Sequence, residues 1–171
     1  MSRCHFEQLH LWFTFPRLPV WVSQLSTLSS LEIHVDELCE DDVAVRARLP
    51  ALSRLVLWAN HVPDEGIAGA TPKLETLWLH MGVRQVKAWG GIRIAGIEQL
   101  PNLKKVPIGL GYYAGEESDG PIVEAAIRKF FNEHEGELVC PTVHITMFLF
   151  VRDEGELFSG VENFSAGMVI A

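Results

Sequence analysis

One short pattern recurs along the chain and restricts what it can fold into. Apolar residues stand at the marked positions of L-x-x-L-x-x-L-x-L. Leu25, Leu28, Leu31 and Ile33 fill it, as do Leu49, Leu52, Leu55 and Leu57. Leu74, Leu77 and Leu79 follow, with Thr71 in the first position, and then Leu100, Leu103, Val106 and Ile108. Phe6, Leu9 and Leu11 carry the same core near the start, and Val143 and Ile145 carry its strand part near the end. Taking Leu9, Leu31, Leu55, Leu77, Val106 and Val143 as anchors, the spacings are 22, 24, 22, 29 and 37 residues. A fixed period of this length marks one supersecondary unit used repeatedly, with neighbours stacking to bury a face that no unit can bury alone.

The pattern is that of leucine-rich repeats. Side chains alternate across a strand, so Leu31 and Ile33 point together into a core while Ser30, Glu32 and His34 point away. The expected fold is an α/β solenoid with parallel strands on the concave face, loops or short helices on the convex side, and a closing helix and last strand. Phe15-Pro-Arg-Leu-Pro-Val-Trp-Val22 is one return segment, and Pro16 and Pro19 favour a turn or extended connector there. The fourth spacing is long because Gly82 to Gly96, with Trp89 and Gly90-Gly91, inserts a loop. In the fifth gap a helix is expected over about residues 121–135. Asp119-Gly-Pro121 starts it, Val123, Ile127, Phe130 and Phe131 form its apolar stripe, Arg128 follows Glu124 by one turn, and Gly136 ends it. The repeat domain is thus residues 1–147, and residues 148–171 read as a poorly ordered tail. The first repeat carries no polar cap, so the isolated chain is expected to be marginal or to associate with itself.

Composition narrows the function. With 48% hydrophobic and 21% charged residues the chain is of the folded, soluble type. A net charge of -8 argues against a nucleic-acid groove, which needs a surplus of Lys and Arg. Cys4, Cys39 and Cys140 are odd in number and far apart, which points to reduced thiols and a cytoplasmic location rather than a disulfide or zinc framework. The start of the chain has no secretory signal. The most apolar stretch, Leu138 to Val151, is short for a membrane span and holds Pro141 and His144, so no membrane partner is expected.

No catalytic, cofactor or metal constellation is expected either. The chain's seven histidines form no H-E-x-x-H or H-x-x-x-H spacing beside a carboxylate. Gly109-Leu-Gly111 lacks the third glycine of a dinucleotide fingerprint, and neither a P-loop nor a G-x-S-x-G elbow is present. Asn163-Phe-Ser165 matches a glycosylation acceptor, a match without weight in a chain that lacks a secretory signal. What remains is a surface. Three rows of outward side chains are expected across the strands: Trp12, His34, Trp58, His80, Gly109 and Thr146; His10, Glu32, Val56, Trp78, Pro107 and His144; and Gln8, Ser30, Arg54, Thr76, Lys105 and Thr142. Tryptophan is enriched at binding hot spots, so Trp12, Trp58 and Trp78 with His34 and His80 are the candidate protein-binding residues.

Leu18-Pro-Val-Trp-Val-Ser-Gln-Leu-Ser-Thr-Leu-Ser-Ser-Leu-Glu-Ile33 resembles the repeat region of plant, especially grass, disease-resistance proteins of the nucleotide-binding leucine-rich-repeat class. Leu49-Pro-Ala-Leu-Ser-Arg-Leu-Val-Leu-Trp58, Pro72-Lys-Leu-Glu-Thr-Leu-Trp-Leu79 and Gly96-Ile-Glu-Gln-Leu-Pro-Asn-Leu-Lys-Lys-Val106 resemble successive repeats of it. The acidic loop at Gly115 to Gly120, the segment Val123-Glu-Ala-Ala-Ile127 and Pro141-Thr-Val-His-Ile145 resemble its C-terminal end. The resemblance implies the recognition module of an intracellular immune receptor, with a pathogen effector, a host guardee or a parent receptor's nucleotide-binding domain as protein partner. The sequence carries no nucleotide-binding motif, so ATP or ADP binding is not carried over. A generic repeat scaffold or adaptor, a fragment and a truncated decoy remain open alternatives.

Overall fold

The computed structural model describes residues 6–61, 71–88, 97–113, 119–133, 142–150 and 161–170. Among them the chain is α/β. Strands β1 (Gln8–Phe15), β2 (Ser30–Glu37), β3 (Arg54–His61), β4 (Thr76–Gly82), β5 (Lys105–Tyr113), β6 (Thr142–Phe150) and β7 (Val161–Ile170) make one sheet in chain order. β1 to β6 are parallel, and β7 is antiparallel to β6. Helices α1 (Glu40–Ala47), α2 (Val83–Ala88) and α3 (Gly120–Glu133) lie in the connections after β2, β4 and β5.

The recurring pattern has a local cause. Its first two apolar positions are three residues apart because they close a turn. Leu28 N–H donates to Leu25 O at 3.0 Å, Leu52 to Leu49 at 3.2 Å, Leu74 to Thr71 at 3.1 Å and Leu103 to Leu100 at 3.2 Å. Thr71 serves as well as leucine because the carbonyl, not the side chain, makes the bond. The last two apolar positions are two apart because they lie on a strand. Between turn and strand, one carbonyl per unit accepts two amides of the next. Glu7 O takes Ser29 and Ser30 N–H at 2.8 and 3.0 Å, Ser29 O takes Ser53 and Arg54 at 2.9 and 3.0 Å, and Ser53 O takes Glu75 and Thr76 at 2.8 and 3.0 Å. Glu75 O takes Lys104 and Lys105 at 2.8 and 3.1 Å.

Strand register follows the anchor residues. Leu9 faces Leu31, Leu31 faces Leu55, Leu55 faces Leu77, and Val106 faces Val143. Leu77 and Val106 are bracketed by the pairs Thr76–Lys105 and Leu79–Ile108. The largest fully buried side chains are Leu28, Leu31, Ile33, Leu49, Leu52, Leu55, Leu57, Leu74, Leu77 and Ile108, every one a pattern position. Each stabilises the fold by about 1.5–3 kcal/mol relative to an exposed side chain.

Three departures from the sequence pattern follow from tertiary context. Residues 40–47 carry no repeat signal yet form α1, whose start is fixed by Cys39 N–H donating to Asp42 Oδ2 at 2.8 Å. The segment after Gly82 is expected as a loop, but its first part is α2, with Val83 and Val86 buried and Gly82 N–H donating to Gln85 Oε1 at 2.7 Å. Trp89 and Gly90-Gly91 lie outside the described residues. Lys87 Nζ meets Asp119 Oδ1 at 2.7 Å and ties α2 to the start of α3. Helix α3 has Pro121 in its first turn and Val123 in the core; the side chains of Glu124, Ile127, Phe130 and Phe131, and Gly136, lie outside the described set. Finally, no element is marked after Met147, whereas β6 runs on to Phe150 and β7 pairs along its far edge. A strand that covers an open edge does so through main-chain hydrogen bonds and needs no repeat signature.

Candidate functional site

The sheet face opposite the core carries the rows expected from the sequence, and the register aligns them. Ser30, Arg54, Thr76, Lys105 and Thr142 face one another in turn from β2 to β6. His10 faces Glu32, Glu32 faces Val56 and Val56 faces Trp78. His34 faces Trp58, Trp58 faces His80, His80 faces Gly109 and Gly109 faces Thr146.

Aromatic side chains on adjacent parallel strands stack because strand separation is close to ring separation. His34 and Trp58 lie with ring centroids 4.8 Å apart and planes within 7°. Trp58 and His80 are at 3.5 Å and 6°, and Trp78 and His80 at 5.4 Å and 10°. His34, Trp58, His80 and Trp78 therefore form one pile of near-parallel rings across β2, β3 and β4. The pile is largely self-covering: His34, Trp58 and Trp78 are half-buried and His80 is only 8% exposed. Their outward positions alone suggest open rings, but each ring covers the faces of its neighbours.

Trp12 departs from the expected row. The β1–β2 register shifts between Leu11 and Thr14, so Thr14, not Trp12, faces His34. Trp12 and Phe13 occupy this irregularity and are 73% and 62% exposed. Trp12 keeps only a distant stack on His10, at 6.5 Å and 17°. Of the five candidates, four come together and Trp12 sits apart at the edge strand. Nothing in the β1 sequence marks the irregularity.

The electrostatics of the pile follow from burial. Desolvation pushes the His80 imidazole down to about 3, with the neighbouring His34 acting in the same direction. Burial also lowers His34, opposed by the charge of Glu32. Both rings are thus neutral near pH 7. Glu32 Oε2 meets His10 Nδ1 at 2.9 Å, and Arg54 Nη1 donates to Ser30 Oγ at 3.3 Å, so polar groups border the pile. Three buried ring nitrogens, Nε2 of His34 and Nε1 of Trp58 and of Trp78, have no hydrogen-bond partner. An unmet buried donor or acceptor costs about 1–3 kcal/mol.

Among the described residues, no group of three or more His, Cys, Asp and Glu side chains is placed to hold a metal ion. No described helix is long and apolar enough to cross a membrane.

The geometry defines a class: an α/β protein whose parallel strands present aligned rows of side chains on one sheet face. Compared with known proteins, the chain is similar to the disease resistance protein RGA5 of rice (Oryza sativa subsp. japonica), 28% identical over 146 residues, covering 70% of this chain and 13% of that protein. The chain thus spans a small fraction of its relative's length, and the similarity supports an origin related to plant resistance proteins. No family model matches the chain. No solved structure matches it either.

Proposed function

We propose that the chain is a leucine-rich-repeat module that recognises a protein partner in plant defence, with a role in binding rather than catalysis. The observation that carries this is the aromatic pile. Side chains held in register across parallel strands present ring edges on the face that repeats of this kind use as a concave binding surface. Tryptophan at the centre of such a face is a typical anchor for a partner. The resemblance to resistance proteins adds the biological setting. It makes the partner a pathogen effector, a host guardee or the nucleotide-binding domain of a parent receptor, met in the cytoplasm.

The test compares the full chain with Trp58→Ala and Trp78→Ala as baits in leaf extract, with and without secreted pathogen proteins. Partners identified by mass spectrometry are expected to be retained by the wild type and depleted at least about tenfold by the variants, as for loss of an anchor residue. Circular dichroism checks that the baits are folded. Equal retention by folded variants would refute the role of the pile. A partner set unconnected with defence would favour a general adaptor built on the same face.

A further inference from the structure

Two cations stand in one register row on the outward face of the sheet. Arg54 of β3 faces Thr76 of β4, and Thr76 faces Lys105 of β5. Neighbouring strands lie about 4.8 Å apart, so the main chains of Arg54 and Lys105 are separated by roughly 10 Å with Thr76 between them. Lys105 is exposed, and Arg54 and Thr76 are half-buried. Carboxylates at adjoining positions are already engaged elsewhere. Glu32 meets His10 Nδ1 at 2.9 Å, and Glu75, beside Thr76, meets Lys104 Nζ at 2.9 Å. Arg54 Nη1 donates to Ser30 Oγ at 3.3 Å, which uses one of the donors of its guanidinium fork. Among the described residues neither Arg54 nor Lys105 makes an ion pair. The adjoining row is apolar, with Val56 facing Trp78.

We infer that this row seats an acidic segment of a protein partner, with one carboxylate held above Thr76 between Arg54 and Lys105 and a nearby apolar side chain set against Trp78. The inference rests on the binding role proposed for this face and names the chemistry of the partner. Charge complementarity carries it. The two cations lack a counter-charge, and a carboxylate between them accepts from the guanidinium fork on one side and the ammonium on the other. The net charge of -8 does not cancel this attraction, because salt screens charges beyond about 8 Å at physiological ionic strength. A nucleic acid fits worse. Its affinity comes from many phosphates neutralised together, and this chain offers two cations and an acidic surplus. Trp78 stands two residues past Thr76, about 7 Å along the strand, a distance that alternate residues of an extended segment span. The fitting segment thus joins an acidic residue to an apolar one.

The test pans a random peptide library displayed on phage against the immobilised full chain, and measures the selected peptides by fluorescence anisotropy. Selected peptides are expected to be enriched in Asp and Glu. Their affinity is expected to fall at least about tenfold on the double variant Arg54→Glu with Lys105→Glu, and to fall as salt is raised. Lys105→Glu alone, at an exposed side chain, is expected to weaken them as well and keeps the test sound if the double variant does not fold. Peptides without acidic enrichment, acidic peptides held equally by the folded variants, no selected peptide at all, or an oligothymidylate bound more tightly than the peptides would each overturn the inference. Trp58→Ala, measured in parallel, separates it from the reading it rests on. Peptides that need Trp58 but neither cation overturn the acidic partner alone. Acidic peptides that need the cations but not Trp58 support the acidic partner and refute the role of the pile.

Discussion

The histidine at the centre of the pile makes the stability of this protein depend on pH in a calculable way. Burial pushes the His80 imidazole down to about 3 in the folded chain, against an ordinary value of 6.5. Below pH 6.5 the unfolded chain therefore binds a proton that the folded chain refuses. Stability from this residue is full above the unfolded value, and it falls as the pH drops towards the folded value. The slope is about 1.4 kcal/mol per pH unit for one proton. Going from about pH 7.5 to about pH 5 removes roughly 2 kcal/mol, which in urea moves the midpoint by on the order of 1 M for a domain of this size. Carboxylates contribute their own pH dependence, so the informative quantity is a difference. His80→Phe keeps a flat ring against Trp58 and Trp78 but cannot titrate. Urea unfolding of wild type and His80→Phe at both pH values isolates the histidine. The wild type is expected to lose about 2 kcal/mol relative to the variant over that interval. A difference that stays constant between the two pH values would show that His80 protonates freely, and the closed pile described above would be wrong.

Other perturbations follow from the same geometry. Leu55→Ala removes a fully buried side chain from a central strand and is expected to cost about 3–5 kcal/mol by urea unfolding, whereas Leu9→Ala, half-buried on the edge strand, costs clearly less. Asp42→Ala deletes the acceptor for Cys39 N–H at the start of α1 and is expected to cost about 1 kcal/mol by the same measurement. Trp12→Ala is expected to leave stability within about 0.5 kcal/mol, since its side chain is mostly in solvent.

Register was legible in the sequence because it is written twice. The turn spacing and the strand spacing of the leucine pattern both identify the same anchors, so an error in one is caught by the other. Leu31 could not pair with Val56 instead of Leu55 without turning its neighbours inside out. Elements outside the pattern had no such redundancy. Helix α1 is preceded at its N-cap by Cys39, an uncommon residue there, and its defining bond runs from that residue's amide to Asp42. Helix α2 places only Val83 and Val86 in the core, too few apolar positions to show a helical period. Strand β7 pairs through its backbone, which no side-chain pattern reports.

The candidate site divides along a similar line. Which residues share the outward face depends on strand parity, and that was readable for His34, Trp58, Trp78 and His80. How exposed they are depends on what the neighbouring strands carry at the same level. His34, Trp58 and His80 fall on one level of three successive strands. Rings placed at that separation close on one another, so placing three aromatics in register converts an exposed patch into a stack. The consequence for recognition is physical. On the proposed reading, a partner would meet ring edges and the polar border formed by Glu32, Arg54 and their contacts, not open indole faces. Trimming Trp58 would then act on more than its own contact, since it exposes a face of His34 on one side and of His80 on the other. The newly wetted His80 would titrate closer to its ordinary value. Loss of partner binding in Trp58→Ala should therefore come with a weaker pH dependence of stability, a pairing of effects that loss of a simple surface contact would not produce.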